Sequence, residues 1–270
     1  MSQAEPRGLP IRRVVAALGA TRASWAVLEP AARLARRFGA ELLGLFLEDE
    51  DLLRLASLPF AQVIGHGPRP MRLDRATMER TLRRAEADAR ARFDRAAAAH
   101  DVTGSFRVVR ASPRAALRAT LEPGDLLVLE QGDLDRLLAP ALACPGVSAL
   151  CLAAGTARAT SVTVVLEGRG PVRPRLELAA RVAEAAGAEL VVLVPAAEAT
   201  ALEEEAAAVL AEVGGVARLR RVLGRGPLPD VVADAPGAVI ACSRELFAAS
   251  ESSRGRWLAL ARRRSVLILC

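Results

Sequence analysis

The chain has no lysine and no tyrosine. All 37 basic residues are therefore arginine, set against 31 acids for a formal charge of +6. Missing lysine beside abundant alanine and arginine reads first as a coding bias, so the basic balance is not by itself a nucleic-acid footprint. Aromatic residues make up only 3%, with six Phe and two Trp, Trp25 and Trp257. Single-strand binders stack bases on aromatic rings, and too few are present here for that class. No apolar run approaches the ~20 residues of a membrane-spanning helix. The opening MSQAEPRGLP lacks the basic-then-apolar layout of a signal peptide. The cysteines, Cys144, Cys151, Cys242 and Cys270, form no CxxC pair and have no histidine at ligand spacing, which argues against zinc and against a disulfide framework. With only two histidines, His66 and His100, no Ser-His-Asp or Cys-His arrangement can be assembled. The expectation is a cytoplasmic, non-enzymatic protein with reduced thiols, no metal, and neither membrane nor nucleic acid as partner.

What is present is a 52% apolar chain of 270 residues, enough for a sizeable core in one large domain or two small ones. The halves repeat each other. Val14–Leu18 falls on Val162–Leu166, and Phe38-Gly39-Ala40-Glu41-Leu42 falls on Ala186-Gly187-Ala188-Glu189-Leu190, without a gap. At a smaller offset, Arg107-Val108-Val109 matches Arg221-Val222-Leu223, and Pro113 matches Pro227. The join lies in the turn-rich stretch Ala153–Thr160, giving units at 11–153 and 160–270, the second shortened.

Within the first unit, short Val/Leu-rich runs at Arg12–Leu18, Ala40–Leu47, Thr103–Val109, Asp125–Glu130 and Val147–Leu152 read as strands buried on both faces. Amphipathic stretches separate them. Trp25, Leu28, Ala32, Ala35 and Phe38 recur at helical spacing, as do Met78, Leu82, Ala85, Ala89 and Phe93. Gly39 and Gly187 stand where a helix must end before the next strand. Strands alternating with helices over short links predict an α/β fold: two doubly wound, Rossmann-like parallel sheets in tandem. The arginines of Arg72–Arg95 are interleaved with acids at i, i+3 and i+4, the pattern of a solvated ion-paired face. The run Glu48-Asp49-Glu50-Asp51 after the second strand reads as a helix start with its acids at the N-terminus rather than as a cation site.

The ordered set resembles the universal stress protein family in its tandem form. The resemblance is carried by Arg13–Ser24 with the helix ending Ala35-Arg-Arg-Phe-Gly-Ala-Glu-Leu42, by Leu45–Phe60 after the second strand, and by the small-residue, spacer and proline closures at Ala111-Ser112-Pro113 and Gly224–Pro227. It implies strand order 3-2-1-4-5 in each unit and an internal pseudo-dimer, with a homodimer as a further option. It also implies a stress-response or regulatory role, through an unidentified protein partner or a small ligand.

ATP-binding members of that family use an acid after strand one and a G-x-x-G-x9-G-[ST] loop after strand four, since glycine lets backbone N–H groups approach phosphate. The first half departs on both counts. Gly19 replaces the acid, and Glu130–Leu138 carries one glycine with Glu130, Asp133 and Asp135. ATP binding is not expected there. The second half keeps Glu167 and Gly168 after strand one, Ser243 and Arg244 after strand four, and Ser252-Ser253 at the last helix. These six are the candidate site for an anion or a nucleotide such as ATP or AMP. The bland alternative is a helix N-cap at Ser252 or Ser253 beside a degenerate pocket. A weak ATPase, a nucleotide sensor and an accessory module for a partner protein are the competing functions. Cys242 is expected to be buried and inert, His66 to face solvent in a loop, and His100 to close a helix.

Overall fold

A computed structural model describes residues 11–21, 23–56, 62–63, 71–72, 75–153, 161–166, 171–195, 199–213, 217–222, 229, 232 and 239–270. The first half contains β1 (Arg13–Leu18), α1 (Leu28–Phe38), β2 (Glu41–Asp49), α2 (Glu50–Leu55), the two-residue strands β3 (Gln62–Val63) and β4 (Met71–Arg72), α3 (Arg75–Ala99), β5 (Gly104–Ala111), α4 (Pro113–Thr120), β6 (Asp125–Glu130), α5 (Leu134–Leu142) and β7 (Ser148–Leu152). The second half contains β8 (Ser161–Val165), α6 (Val172–Ala186), β9 (Glu189–Pro195), α7 (Ala199–Val213), β10 (Ala217–Val222), β11 (Val239–Ser243), α8 (Arg244–Ala248), α9 (Glu251–Ala261) and β12 (Ser265–Leu269).

Ten strands form one sheet in the order β10-β9-β8-β11-β12-β7-β6-β1-β2-β5. Each half is parallel and runs third, second, first, fourth, fifth strand, the doubly wound order expected. The halves are joined where β12 pairs antiparallel with β7, through Val266–Cys151, Leu267–Leu150 and Ile268–Ala149. Two separate sheets would each have left an apolar fifth strand with an unpaired edge. Pairing the two edges satisfies both.

The side-chain period of two explains the layers. Val14, Ala16 and Leu18 face one core with α1, α3, α6 and α7, while Val15 and Ala17 face another with α4, α5, α8 and α9. Gly39 and Gly187 end α1 and α6 in the left-handed region, at φ 61° and 63°, each capping N–H bonding back to the last helical turn. At the amino ends of the strands Arg13 grips Asp125 bidentately, Nε to Oδ1 at 3.0 Å and Nη2 to Oδ2 at 2.7 Å. This partly buried pair raises the Arg13 pKa above its ordinary value, chiefly through the Asp125 hydrogen bond.

The long arginine-rich helix α3 packs its Phe93 ring against β2 and β5. A Cβ at Gly44 would lie 2.7 Å from Phe93, and one at Gly104 would lie 2.7 Å from the same ring. Phe93 meets Phe106 edge-on at 5.6 Å. The opposite face of α3 is exposed and carries the i, i+4 pairs Arg75–Glu79 and Arg90–Glu86.

Candidate functional site

In an open doubly wound sheet, ligands enter at the carboxyl ends of the strands where the order reverses. Here that place lies between β1 and β6 in the first half and between β8 and β11 in the second.

The first crevice is occupied by its own side chains. Arg136, from the first turn of α5, donates from Nη1 to Asp49 Oδ2 at 3.2 Å and from Nη2 to Asp133 Oδ1 at 2.9 Å. Its Nη2 is 3.6 Å from the position a Cβ would take on Gly19. The guanidinium thus lies over the ends of β1, β2 and β6. Asp49 and Asp133 are mostly shielded, with side chains 10% and 15% exposed. Glu130 turns back to accept from the Gly132 N–H at 2.7 Å, so the one glycine of the loop spends its amide on a carboxylate. After β1, the Gly19 N–H donates to Ser24 Oγ at 2.9 Å, and the Trp25 indole N–H donates to the Gly19 carbonyl at 2.9 Å. The Gly19 and Gly132 amides and the Arg136 guanidinium thus already have internal partners.

In the second half, Glu167 and Gly168 lie outside the described residues. Ser243 is buried at the end of β11 and accepts from the Leu246 N–H at 3.0 Å, capping α8. Arg244 runs in another direction. Its Nη2 donates to the carbonyls of Cys144 at 3.1 Å and Val147 at 2.7 Å, both in the first half. The cap of α9 is Ser250, which accepts from the Ser253 N–H at 3.0 Å. Ser253 Oγ donates to the Leu246 carbonyl at 3.0 Å, and Ser252 is exposed. The structure thus gives Ser243, Arg244 and Ser253 internal partners, with Ser243 and Ser253 meeting the N–H and the carbonyl of the same residue, Leu246.

It does place a cation that the sequence reading left unnamed. Arg175, on the first turn of α6, is buried and donates from Nη2 to Glu245 Oε2 on α8 at 3.3 Å. The guanidinium thus bridges the helices that follow β8 and β11. The sequence signal was its spacing: Val172, Arg175, Leu176 and Ala179 share the buried face of α6. An arginine on an apolar stripe is a departure from binary patterning.

The acidic run does open a helix, α2, and Glu48 pairs with Arg110, its neighbour in register on β5, at 2.7 Å. Among the described residues, no three His, Cys, Asp or Glu gather as for a metal. Cys242 is buried, and burial pushes the Cys151 thiol up to about 12. His100 closes α3 and lies 2.6 Å from Glu29 of α1. His66 lies outside the described residues. Among those described, no helix is long and apolar enough to cross a membrane.

No family model and no curated protein matches the sequence. Solved structures match its fold. A universal stress protein from Archaeoglobus fulgidus is 13% identical, with a TM-score of 0.63 over 97% of this chain and 97% of that one. A functionally unknown protein from Pseudomonas aeruginosa is 13% identical, with a TM-score of 0.52 over 96% of this chain and 92% of its own. The cytoplasmic domain of a prokaryotic cation chloride cotransporter is 11% identical, with a TM-score of 0.51 over 95% of this chain and 94% of that domain. The chain has the universal-stress-protein fold across nearly its whole length.

Proposed function

We propose that this chain, built on the universal-stress-protein fold, is a non-enzymatic regulatory module of the stress-response kind, whose first half does not bind ATP. The observation that carries the reading is the Asp49–Arg136–Asp133 bridge over the first crevice. A triphosphate entering there would have to displace a guanidinium held by two shielded carboxylates and would then face those carboxylates directly. Among the described residues no three His, Cys, Asp or Glu gather as for a metal, and the carboxylates Asp49 and Asp133 at the first crevice are both held by Arg136. The module then acts through contact with a protein partner or through a small ligand rather than through turnover.

The accessory-module form of this reading draws on one comparison. A cotransporter's cytoplasmic domain shares the fold over nearly the same length. A fold of this kind therefore also occurs as one domain of a larger protein.

Titration calorimetry with ATP, ADP and AMP, combined with a phosphate-release assay, tests the proposal. The expected result is no hydrolysis, and no nucleotide binding that changes when Arg136 is replaced by alanine. Saturable ATP binding that responds to Arg136→Ala, or steady phosphate release by purified protein, would replace it with the nucleotide-sensor or ATPase reading.

A further inference from the structure

Arg175 carries a positive charge into the interior with its side chain only 5% exposed. One terminal nitrogen reaches Glu245, while the other, Nη1, is buried without a hydrogen-bond partner among the described residues. Burying a cationic donor without replacing its hydration is costly. Glu245 compensates poorly, because its side chain is 59% exposed and water competes for it. The guanidinium nonetheless sits where ligands of doubly wound sheets are held, bridging the helices that leave β8 and β11.

We infer that the second crevice takes a compact oxyanion, the carboxylate or monophosphate end of a small molecule, on Nη1 of Arg175. Glu245 is the internal stand-in for that anion. It holds Nη2 at the long distance of 3.3 Å and can swing to solvent, releasing Nη2 to the incoming group. Both terminal nitrogens then face two oxygens of one anion, the planar fork geometry that distinguishes arginine from lysine. Charge limits the ligand. Arg175 supplies one positive charge and Glu245 returns one negative charge beside it, so the site suits a single oxyanion and opposes a polyphosphate. The anion would sit in the second crevice alone. Its binding there stands or falls separately from the closure of the first.

The test is thermal unfolding of the full chain in acetate or inorganic phosphate, against chloride at the same ionic strength. The wild-type midpoint should rise saturably with acetate, phosphate or both, and not with chloride. A response to phosphate alone assigns a phosphoryl ligand, and one to acetate alone assigns a carboxylate. Arg175→Gln should weaken the response about tenfold or more, the loss of a charge-assisted pair. Glu245→Gln should tighten it about two- to fivefold by removing an exposed competitor. If Arg175→Gln fails to fold, Glu245→Gln decides: unchanged or weaker affinity overturns the proposal. Equal responses from wild type and Arg175→Gln, or none from either wild type or Glu245→Gln, also overturn it.

Discussion

Arg244, in the second half of the chain, donates to the Val147 carbonyl of the first at 2.7 Å. The same nitrogen reaches the Cys144 carbonyl at 3.1 Å, so one guanidinium answers two backbone acceptors at the close of α5 and the approach to β7. The halves are therefore fastened by an arginine as well as by a strand pair. Arg244→Ala leaves both carbonyls short of a donor and is expected to cost about 2 kcal/mol in urea unfolding. Arg244→Lys should recover only part, since an ammonium lacks the planar reach of the fork. Stability unchanged in Arg244→Ala would remove the fastening role.

The bridge over the first crevice predicts coupling between Arg136 and Asp49. Both side chains are partly shielded, at 33% and 10% exposed. A double-mutant cycle of Arg136→Met and Asp49→Asn, read by denaturant midpoint, should give about 1 kcal/mol of interaction. The coupling should persist in 0.5 to 1 M salt, roughly, better than that of the exposed pair Arg54–Glu50, because shielded pairs are screened less. A coupling energy near zero would mean that the guanidinium is not held there.

Gly44→Ala should be destabilising by about 1–3 kcal/mol, the usual cost of overpacking. Its new Cβ would lie 2.7 Å from Phe93 and 2.8 Å from Phe106. Phe93 cannot retreat towards Gly104, where it already fills the space a side chain would need. Adding Phe93→Leu should return part of the loss in a thermal melt. If the single variant melts with the wild type, the packing argument fails.

Cys151 supplies a pH dependence. Burial raises its thiol from the ordinary 9.0 to about 12 in the folded chain. Between those values the unfolded chain has lost the proton that the folded chain keeps, so stability falls as pH rises through that window. The slope from this group approaches about 1.4 kcal/mol per pH unit, and Cys151→Ala should remove it. A thiol reagent at pH 8 should label exposed Cys270 at once and Cys151 only on unfolding. Rapid labelling of both would contradict the burial.

The fold was largely legible in the sequence, and the reasons are local. The strand read at Asp125–Glu130 has those bounds in the structure, because Pro123-Gly124 precedes it and every residue before Glu130 is buried. The ends of α1 and α6 were legible because only glycine readily takes the left-handed cap at 39 and 187. The joining of two sheets into one was harder to read, since a strand's edge partner leaves no periodic mark on its own sequence. The candidate site was less legible still. Arg244 follows the expected strand and Ser253 lies at the start of the expected helix, but where each side chain points depends on carbonyls such as Val147 and Leu246. Arg175 was overlooked because a basic residue near a helix start reads as solvated until its neighbours on the stripe are counted. The first crevice was the exception: its missing acid at Gly19 and its three carboxylates were plain, and Arg136 binds one of the three, Asp133, together with Asp49 from the end of β2.

The antiparallel seam between β7 and β12 also has a consequence in time. A ribosome delivers β7 early and β12 last among the described strands, and Ala153 at the seam lies 112 positions before its hydrogen-bond partner Ser265. Through that interval the first half carries a bare apolar strand edge, able to pair with whatever strand reaches it. Two nascent chains side by side could exchange their final strands before either closes its own. The seam that unites the finished molecule is thus also an edge left open during synthesis, and shielding that one edge for the length of the second half would keep neighbouring chains from pairing through it.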